Sequence, residues 1–197
     1  MPTDRSEGWD AVAEHFIAVR SDVGAALVRS WARDKLPPSS AIVDVGCGSG
    51  VPIAQALIED GFTVAGIDAS PRLIAAFARR FPDAQHACEA AQDSRFFGRS
   101  FDAAIAIGLL FLLSAEDQRA VIAGVAKALR PGGRLLFSAP REACEWQDLL
   151  TGRRSLSLGE AGYARVLEES GLRLVDRYTD EGANHYFEAA KLSAPDR

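Results

Sequence analysis

The sequence has few cysteines and places them far apart. Cys47, Cys88 and Cys144 are the only three in 197 residues, and no two of them form a CxxC pair. This spacing is typical neither of a disulfide framework nor of a zinc site. We therefore expect no metal site, and a reducing compartment, the cytoplasm.

Long apolar runs are also missing. The stretch from Ala103 to Leu113 is about half of the roughly 20 apolar residues that a membrane-spanning helix needs. The segment from Met1 to Asp10 is polar and acidic and lacks the apolar core of a signal peptide. The sequence therefore predicts a cytoplasmic protein with no membrane partner.

An excess of basic residues is missing as well. Lysine and arginine number 22 against 27 aspartate and glutamate, which gives a net charge of -5. Binding to nucleic acid needs a basic face that displaces counterions, so we expect no nucleic-acid partner. With 48% hydrophobic residues, a chain of this length is sufficient for one compact unit, as a monomer or homodimer.

Hydrophobic periodicity divides the chain at Pro37-Pro38. Before this break, apolar residues recur at helical spacing over 8–19 and 23–35. After it, short β-rich runs alternate with amphipathic helical ones. The predicted strands are 41–45, 62–67, 84–88, 101–107, 134–138, 172–178 and 185–191, and the predicted helices are 51–60, 70–80, 114–129 and 160–170. This order predicts an α/β fold with a doubly wound, mostly parallel seven-stranded sheet, closed by an antiparallel C-terminal hairpin strand.

A glycine-rich turn follows the first strand, in the sequence Val43-Asp44-Val45-Gly46-Cys47-Gly48-Ser49-Gly50. Glycines at a strand-to-helix turn let the backbone approach a ligand closely, at the sheet edge where α/β proteins bind nucleotides. Asp68 ends the second strand, where a carboxylate can accept hydrogen bonds from both ribose hydroxyls. Together these features predict a nucleoside-containing ligand.

The spacing of the glycines separates two cofactor classes. The dinucleotide fingerprint GxGxxG needs a glycine at Val51, so a nicotinamide-dependent dehydrogenase is disfavoured. The GxGxG spacing, with Asp44 two residues before the first glycine, resembles the class I (seven-strand, Rossmann-like) S-adenosylmethionine-dependent methyltransferase superfamily. The resemblance covers nearly all of 41–191 and includes three further motifs: Gly66-Ile67-Asp68-Ala69-Ser70-Pro71, Ser100-Phe101-Asp102 and Leu129-Arg130-Pro131-Gly132-Gly133.

The resemblance implies S-adenosyl-L-methionine as the cofactor, with a binding role for ten residues. These are Asp44, Gly46, Cys47, Gly48, Gly50, Asp68, Ala69, Glu89, Ala90 and Gly108. Asp44 would orient the methionine ammonium, Glu89 and the Ala90 amide would meet the adenine, and Gly108 would border the reacting methyl group. The family often carries an N-terminal helical lid, so residues 1–36 are expected to form a lid on a Rossmann-like domain of residues 37–197. The lid carries Trp9 and Phe16, and Arg20, which could pair with the cofactor carboxylate.

The methyl acceptor is expected on the same face as the cofactor, and a small molecule is favoured over a macromolecule. If the sixth strand is parallel to the others, the loop 179–184 lies on that face with Asn184 and His185, as does the segment 139–151 with Trp146. Histidine is the side chain suited to proton transfer near neutral pH, so His185 is the candidate catalytic base; a surface histidine is the other interpretation. The acidic loop predicts a polar or cationic acceptor.

Two alternatives stay open at this stage. A cofactor-binding regulatory protein without turnover would carry the same glycine turn and the same Asp68. An arsenite methyltransferase would use reactive cysteines, although Cys88 and Cys144 are not spaced as a recognisable thiol set with Cys47.

Overall fold

A computed structural model describes residues 4–192, and it contains one seven-stranded sheet between two layers of helices. The strands are β1 (Ala41–Val45), β2 (Thr63–Asp68), β3 (Gln85–Cys88), β4 (Phe101–Ala106), β5 (Leu129–Ser138), β6 (Ala143–Gln147), β7 (Arg154–Leu158), β8 (Leu172–Thr179) and β9 (His185–Lys191). The helices are α1 (Ala13–Val19), α2 (Ala25–Lys35), α3 (Ile53–Glu59), α4 (Pro71–Arg80), α5 (Ala115–Ala128) and α6 (Gly159–Glu169). Residues 1–3 and 193–197, the outer ends of the two predicted domains, lie outside the described residues.

The strand order is β3-β2-β1-β4-β5-β9-β8. Strands β1 to β5 pair in parallel, and β9 runs antiparallel to both β5 and β8. Strand β8 is therefore parallel to the first five, and the carboxyl ends of these six strands share one edge of the sheet. The predicted doubly wound sheet with a C-terminal hairpin is confirmed.

The central strands bury both of their faces. In β1, Ile42 packs with α2, α3 and α4 against Trp31, Leu57 and Phe77. Its neighbour Val43 belongs to the opposite cluster, which packs against α5 and α6. A strand buried on both sides reads as an almost continuous apolar run, which explains why β1 and β4 were recognisable in the sequence.

Two helices begin where their capping residues predict. The Ser70 hydroxyl accepts a hydrogen bond from the Leu73 amide at 3.2 Å, and Pro71 occupies the first helical turn of α4. The Ser114 hydroxyl accepts from the Asp117 amide at 3.1 Å at the start of α5. These side chains satisfy amides that have no partner within the helix.

The N-terminal helix is shorter than the predicted 8–19, because α1 begins only at Ala13. The Asp4 carboxylate accepts hydrogen bonds from the amides of Ser6 and Gly8 at 2.9 and 2.8 Å. Short acidic side chains compete in this way with helical hydrogen bonding. Gly8 itself has a φ of +88°, a left-handed conformation that interrupts a helix.

The hairpin of β6 and β7 was not predicted from the sequence, which assigned no strand or helix between residues 138 and 160. The two strands pair from Ala143↔Leu158 to Gln147↔Arg154 and form a sheet of their own. The polar-apolar alternation of Ser155-Leu156-Ser157-Leu158 is the strand signal that was missed. Its partner β6 is mostly exposed and carries no such signal.

A buried amide ties this hairpin to the main body. The Gln118 side chain on α5 is fully buried and donates to the carbonyl oxygens of Leu113 and Leu156 at 3.0 and 3.1 Å. Its oxygen accepts from the Tyr163 hydroxyl at 2.9 Å. One side chain therefore joins the segment after β4, strand β7 and helix α6.

We predict that Gln118→Leu lowers the free energy of unfolding by about 2–4 kcal/mol, because it leaves the Tyr163 hydroxyl and two carbonyl groups buried without partners. Urea denaturation followed by circular dichroism measures the change. The matched control is Gln55→Leu on α3, whose amide donates to the exposed Glu59 and whose loss should be nearly neutral. Equal stability of the two variants would contradict the role assigned to Gln118.

Candidate functional site

The carboxyl ends of β1, β2, β4 and β5 open into a cavity of about 800 Å³. The N-terminal segment 5–23, the segment 107–113, the β6–β7 hairpin and the β8–β9 loop complete its walls. A cavity of this volume lies in the upper part of the range that small-molecule sites occupy. It lies at the sheet edge that the topology of parallel strands predicts for a ligand.

The glycine-rich turn forms the floor of this cavity. The amides of Gly46 and Cys47 both donate to the carbonyl oxygen of Ile67, at 2.8 and 3.0 Å, and this joins the turn to the end of β2. Gly46 has a φ of +75°, and a Cβ there would lie 3.0 Å from the Leu109 side chain. A side chain at this position would therefore be strained in its backbone and crowded by the wall opposite.

Asp68 lies beside the turn with both carboxylate oxygens engaged. One oxygen accepts from the Gly48 amide at 2.9 Å and the other from the Ser70 amide at 2.8 Å. Burial raises the pKa of Asp68, and these two amides oppose that rise by stabilising the charge. Each carboxylate oxygen can accept a further hydrogen bond, so the group can still receive two hydroxyls from a ligand.

Asp44 is a buried acid on the wall of the cavity. Its side chain is 3% exposed and, among residues 4–192, accepts no hydrogen bond. Burial, together with the negative charge of Asp68, raises the pKa of Asp44 to about 7, and the positive charge of Arg20 opposes the rise. A buried carboxylate of this kind is stabilised by a cation that enters the cavity. The residues therefore fit a ligand that carries an ammonium group.

The N-terminal segment crosses the cavity and is held at both sides. Asp10 accepts from the Ser70 hydroxyl at 2.7 Å and from the Arg72 amide at 2.9 Å, at the start of α4. On the other side, Glu7 forms an ion pair with Arg153 in the β6–β7 hairpin. Between these contacts Trp9 and Phe16 pack edge to face, with ring centroids 5.2 Å apart.

A second aromatic pair lines the cavity. Phe111 and Trp146 pack with ring centroids 5.4 Å apart, which brings together the segment after β4 and the β6–β7 hairpin. The Ser138 hydroxyl at the end of β5 accepts from the Gly108 amide at 2.8 Å and lines the same space. This part of the cavity can enclose a small organic molecule next to the glycine turn.

The β8–β9 loop uses its acidic residues within the protein. Asp180 accepts from the Asn184 side chain and from the Tyr186 hydroxyl, the latter at 2.8 Å. Glu181 accepts from the Gly24 amide at 3.2 Å, at the start of α2. Asp180 is buried and fully engaged, whereas Glu181 is exposed and keeps one oxygen without a partner. Neither residue lines the cavity, and the cationic acceptor stays a prediction. His185 lines the cavity, with Nδ1 3.2 Å from the Thr179 hydroxyl.

The structure brings nearly all of the predicted site residues to this one cavity. Those on its walls are Trp9, Phe16, Arg20, Asp44, Gly46, Cys47, Gly48, Asp68, Ala69, Ala90, Gly108, Trp146, Asn184 and His185. Gly50 and Glu89 are not among them. A Cβ at Gly50 would lie 2.5 Å from the Phe81 ring, so this glycine permits close packing of the turn on α4. The Glu89 carboxylate accepts from the Ser94 hydroxyl at 2.6 Å.

Sequence reasoning missed several residues of the cavity wall, including Gln92, Leu109, Phe111, Ser138 and Asp148. Phe111 and Asp148 follow the ends of β4 and β6, and no motif marks either of them. Ser138 is the last residue of β5, and a polar residue that ends a parallel strand was a usable signal.

The three cysteines do not meet at this cavity. Cys47 is the one that lines it, and burial raises the pKa of its thiol well above the ordinary value. Across residues 4–192, no three His, Cys, Asp or Glu side chains form a group that could hold a metal ion. Nothing in this arrangement supports a thiolate site for arsenite.

No helix within residues 4–192 has both the length and the apolar character needed to cross a membrane.

Comparison with known proteins points to the family that the motifs resemble. Residues 42–133 match the family model described as a methyltransferase domain. The chain is 33% identical over 120 residues to dTDP-3-amino-3,4,6-trideoxy-alpha-D-glucopyranose N,N-dimethyltransferase of Streptomyces venezuelae, covering 60% of this chain and 48% of that protein. It is 31% identical over 151 residues to demethylmenaquinone methyltransferase of Beutenbergia cavernae, covering 71% and 60%. The chain thus spans about half the length of the curated relatives it matches.

Among solved structures, the chain is similar to 1,6-didemethyltoxoflavin-N1-methyltransferase of Burkholderia thailandensis, which was crystallised with 1,6-didemethyltoxoflavin and S-adenosylhomocysteine. The TM-score is 0.74 at 18% identity, and the match covers 98% of this chain and 93% of that one. At this identity the likeness establishes the fold. Residues 42–133 are thus a methyltransferase domain, and the fold is that of the class I S-adenosylmethionine-dependent methyltransferases that the motifs resemble.

Proposed function

We propose that this protein transfers a methyl group from S-adenosylmethionine to a small-molecule acceptor bound in the same cavity. The observation that carries the proposal is the pair of carboxylates beside the glycine turn, the buried Asp44 and the half-buried Asp68. They lie in a cavity of about 800 Å³ that also contains the aromatic pair Phe111 and Trp146.

Each residue proposed to bind the cofactor suits a different chemical group of that molecule. Asp44 would pair with the ammonium of the methionine moiety, and Arg20, which also lines the cavity, with its carboxylate. Asp68 would accept both ribose hydroxyls through the free lone pairs of its two oxygens. The Ala90 amide and the Gln92 side chain lie on the wall where a purine would pack, and Glu89 stays a prediction for the adenine amino group.

S-adenosylmethionine, when bound, supplies a methyl group on a sulfonium that a nucleophile can displace in line. The protein then has to position the acceptor, exclude water and, for a hydroxyl or protonated amine, remove a proton. Trp146 and Phe111 would hold the acceptor body, and His185 would take the proton through a ring nitrogen. The names of the relatives include N- and O-methyltransferases of small molecules, which is consistent with such an acceptor.

We propose that residues 1–36 form a lid on the domain of residues 37–197. The support is the path of segment 4–20 over the cavity and its two polar anchors, Asp10 on α4 and Glu7 on the β6–β7 hairpin. These contacts join exposed or partly exposed groups, which contribute little to stability individually. Opening the lid would give both ligands a way into the cavity.

The first test of the proposal is cofactor binding. Isothermal calorimetry should show S-adenosylhomocysteine binding and no binding of NAD. Asp68→Ala should weaken the binding by about 1.5–3 kcal/mol, because a charged hydrogen-bond acceptor is lost. The control is Asp83→Ala, which removes an exposed acid outside the cavity. No heat with S-adenosylhomocysteine, or unchanged affinity in Asp68→Ala, would contradict the assignment.

The second test is the pH dependence of that binding. The pKa of Asp44 in the free protein is about 7, whereas its pairing with an ammonium would lower the pKa in the complex. Binding below pH 7 would then release a proton, so affinity should fall by about tenfold for each pH unit below 7. In Asp44→Asn the affinity should be lower and nearly independent of pH between about 5.5 and 7. A wild-type affinity that does not change across this range would exclude the pairing.

The third test concerns turnover. In a panel of small acceptors, His185→Ala should lower kcat by about 10²-fold without changing cofactor affinity if the histidine is the base. His86→Ala is the control, since His86 lies in β3 away from the cavity. Full activity of His185→Ala from about pH 6 to 9 would exclude His185 as the base. The protein would then contribute by positioning the acceptor alone. Binding with no product from any acceptor would favour the alternative, a regulatory protein without turnover.

A further inference from the structure

A second, smaller cleft lies on the far side of His185. It has a volume of about 190 Å³, and its walls include Arg141, Arg177 and Thr179. His185 and Tyr186 line both this cleft and the main cavity. His185 and Tyr186 therefore form a wall that the two spaces share, and the cleft borders the residue that is the candidate base.

The two arginines are held in place by one acid. Glu160, near the start of α6, accepts from the Arg141 Nε at 3.0 Å and from the Arg177 Nε at 2.7 Å. Within residues 4–192 neither guanidinium makes another hydrogen bond, so the terminal nitrogens of both remain available as donors. Two positive charges facing one negative charge leave an excess of one positive charge in the cleft.

Other acids nearby do not neutralise this excess. Asp176, the neighbour of Arg177 on β8, accepts from the Arg177 amide at 2.8 Å and from the Tyr178 hydroxyl at 3.1 Å. It lies 4.0 Å from the ammonium of Lys35, on the side of the sheet that faces α2. Asp180 is buried and bonded to Asn184 and Tyr186.

We propose that this cleft binds an anionic group of the methyl acceptor, a carboxylate or a phosphate. The planar guanidinium group of arginine can donate two parallel hydrogen bonds to either anion. An ion pair that only stabilises the fold would need one arginine beside Glu160, so the second arginine indicates a further role. This inference rests on the proposed function and names its substrate class. The acceptor is a small organic acid or phosphate ester, with its reacting end at His185 in the main cavity and its anionic end between Arg141 and Arg177.

The experiment titrates three probes into the full-length protein with S-adenosylhomocysteine already bound. Phenyl phosphate and benzoate carry the two candidate anions, and benzyl alcohol is the neutral counterpart. At up to about 10 mM ligand, calorimetry should detect at least one anion and should find benzyl alcohol weaker by about tenfold. The anion that binds more tightly identifies the group for which the cleft is built.

Three variants assign the binding to the cleft. The double variant Arg141→Gln with Arg177→Gln should weaken anion binding by at least about tenfold, as expected for loss of charged hydrogen bonds. The double variant Arg141→Lys with Arg177→Lys keeps the charge and loses the planar fork, so it should bind the anions more tightly than the glutamine variant and more weakly than the wild type. Arg173→Gln is the matched control, because Arg173 is exposed on β8 and lies outside both spaces.

The outcomes separate the inference from the function on which it rests. If S-adenosylhomocysteine itself does not bind, the proposed function fails and the inference fails with it. If it binds but neither anion does, the inference alone is overturned. The same follows if the glutamine double variant binds the anions as the wild type does, or if benzyl alcohol binds as tightly as the anions.

Discussion

Two backbone amides that share one acceptor hold the site together. Gly46 and Cys47 both donate to the carbonyl oxygen of Ile67, which fixes the turn after β1 against the end of β2. The same turn then offers the Gly48 amide to Asp68. Because β1 and β2 are parallel neighbours in the middle of the sheet, this contact positions a ligand-facing loop on a rigid support. The cavity walls from all other segments are arranged around that turn.

This arrangement concentrates negative charge where water is scarce. Asp44 is buried and Asp68 is half-buried, and loss of contact with water raises the pKa of each, in the case of Asp44 to about 7. Such a pair lowers the stability of the free protein at neutral pH, because a charged carboxylate is held in a low-dielectric region. A ligand that brings a cation and hydrogen-bond donors relieves this cost, so the same feature that strains the free protein favours binding.

The charged side chains of the β8–β9 loop and of the smaller cleft differ in how fully they are paired within the protein. The acids of the β8–β9 loop bind the loop to itself and to α2, whereas Arg141 and Arg177 converge on a single acid and keep spare donors. An interpretation from the local sequence counts Asp180 and Glu181 as available, although Asp180 is buried among its partners and Glu181 uses one oxygen to bind the start of α2. The main cavity carries the aromatic pair Phe111 and Trp146, and the smaller cleft beside His185 carries the two arginines.

The sequence by itself determined the order of the elements, the parallel sheet and the cofactor edge. Apolar runs such as 41–45 and 101–106, the caps at Ser70 and Ser114, and the glycine turn are local signals whose physical meaning depends on few distant contacts. Strand β8 runs parallel to the first strands, so the position of His185 on the cavity side could be deduced from topology alone.

Only the tertiary structure decided which residues meet at the cavity and at the smaller cleft. The β6–β7 hairpin depends on Gln118, a residue of α5 that bonds to Leu156 across the fold, and a contact of that kind leaves no periodic trace. The availability of a charge is likewise non-local, since Glu181 is engaged by Gly24, far away in the chain. Arg141 and Arg177 come from different strand ends and meet only because α6 places Glu160 between them. Spacing in the sequence predicts positions on an element, whereas pairing between elements depends on how they pack.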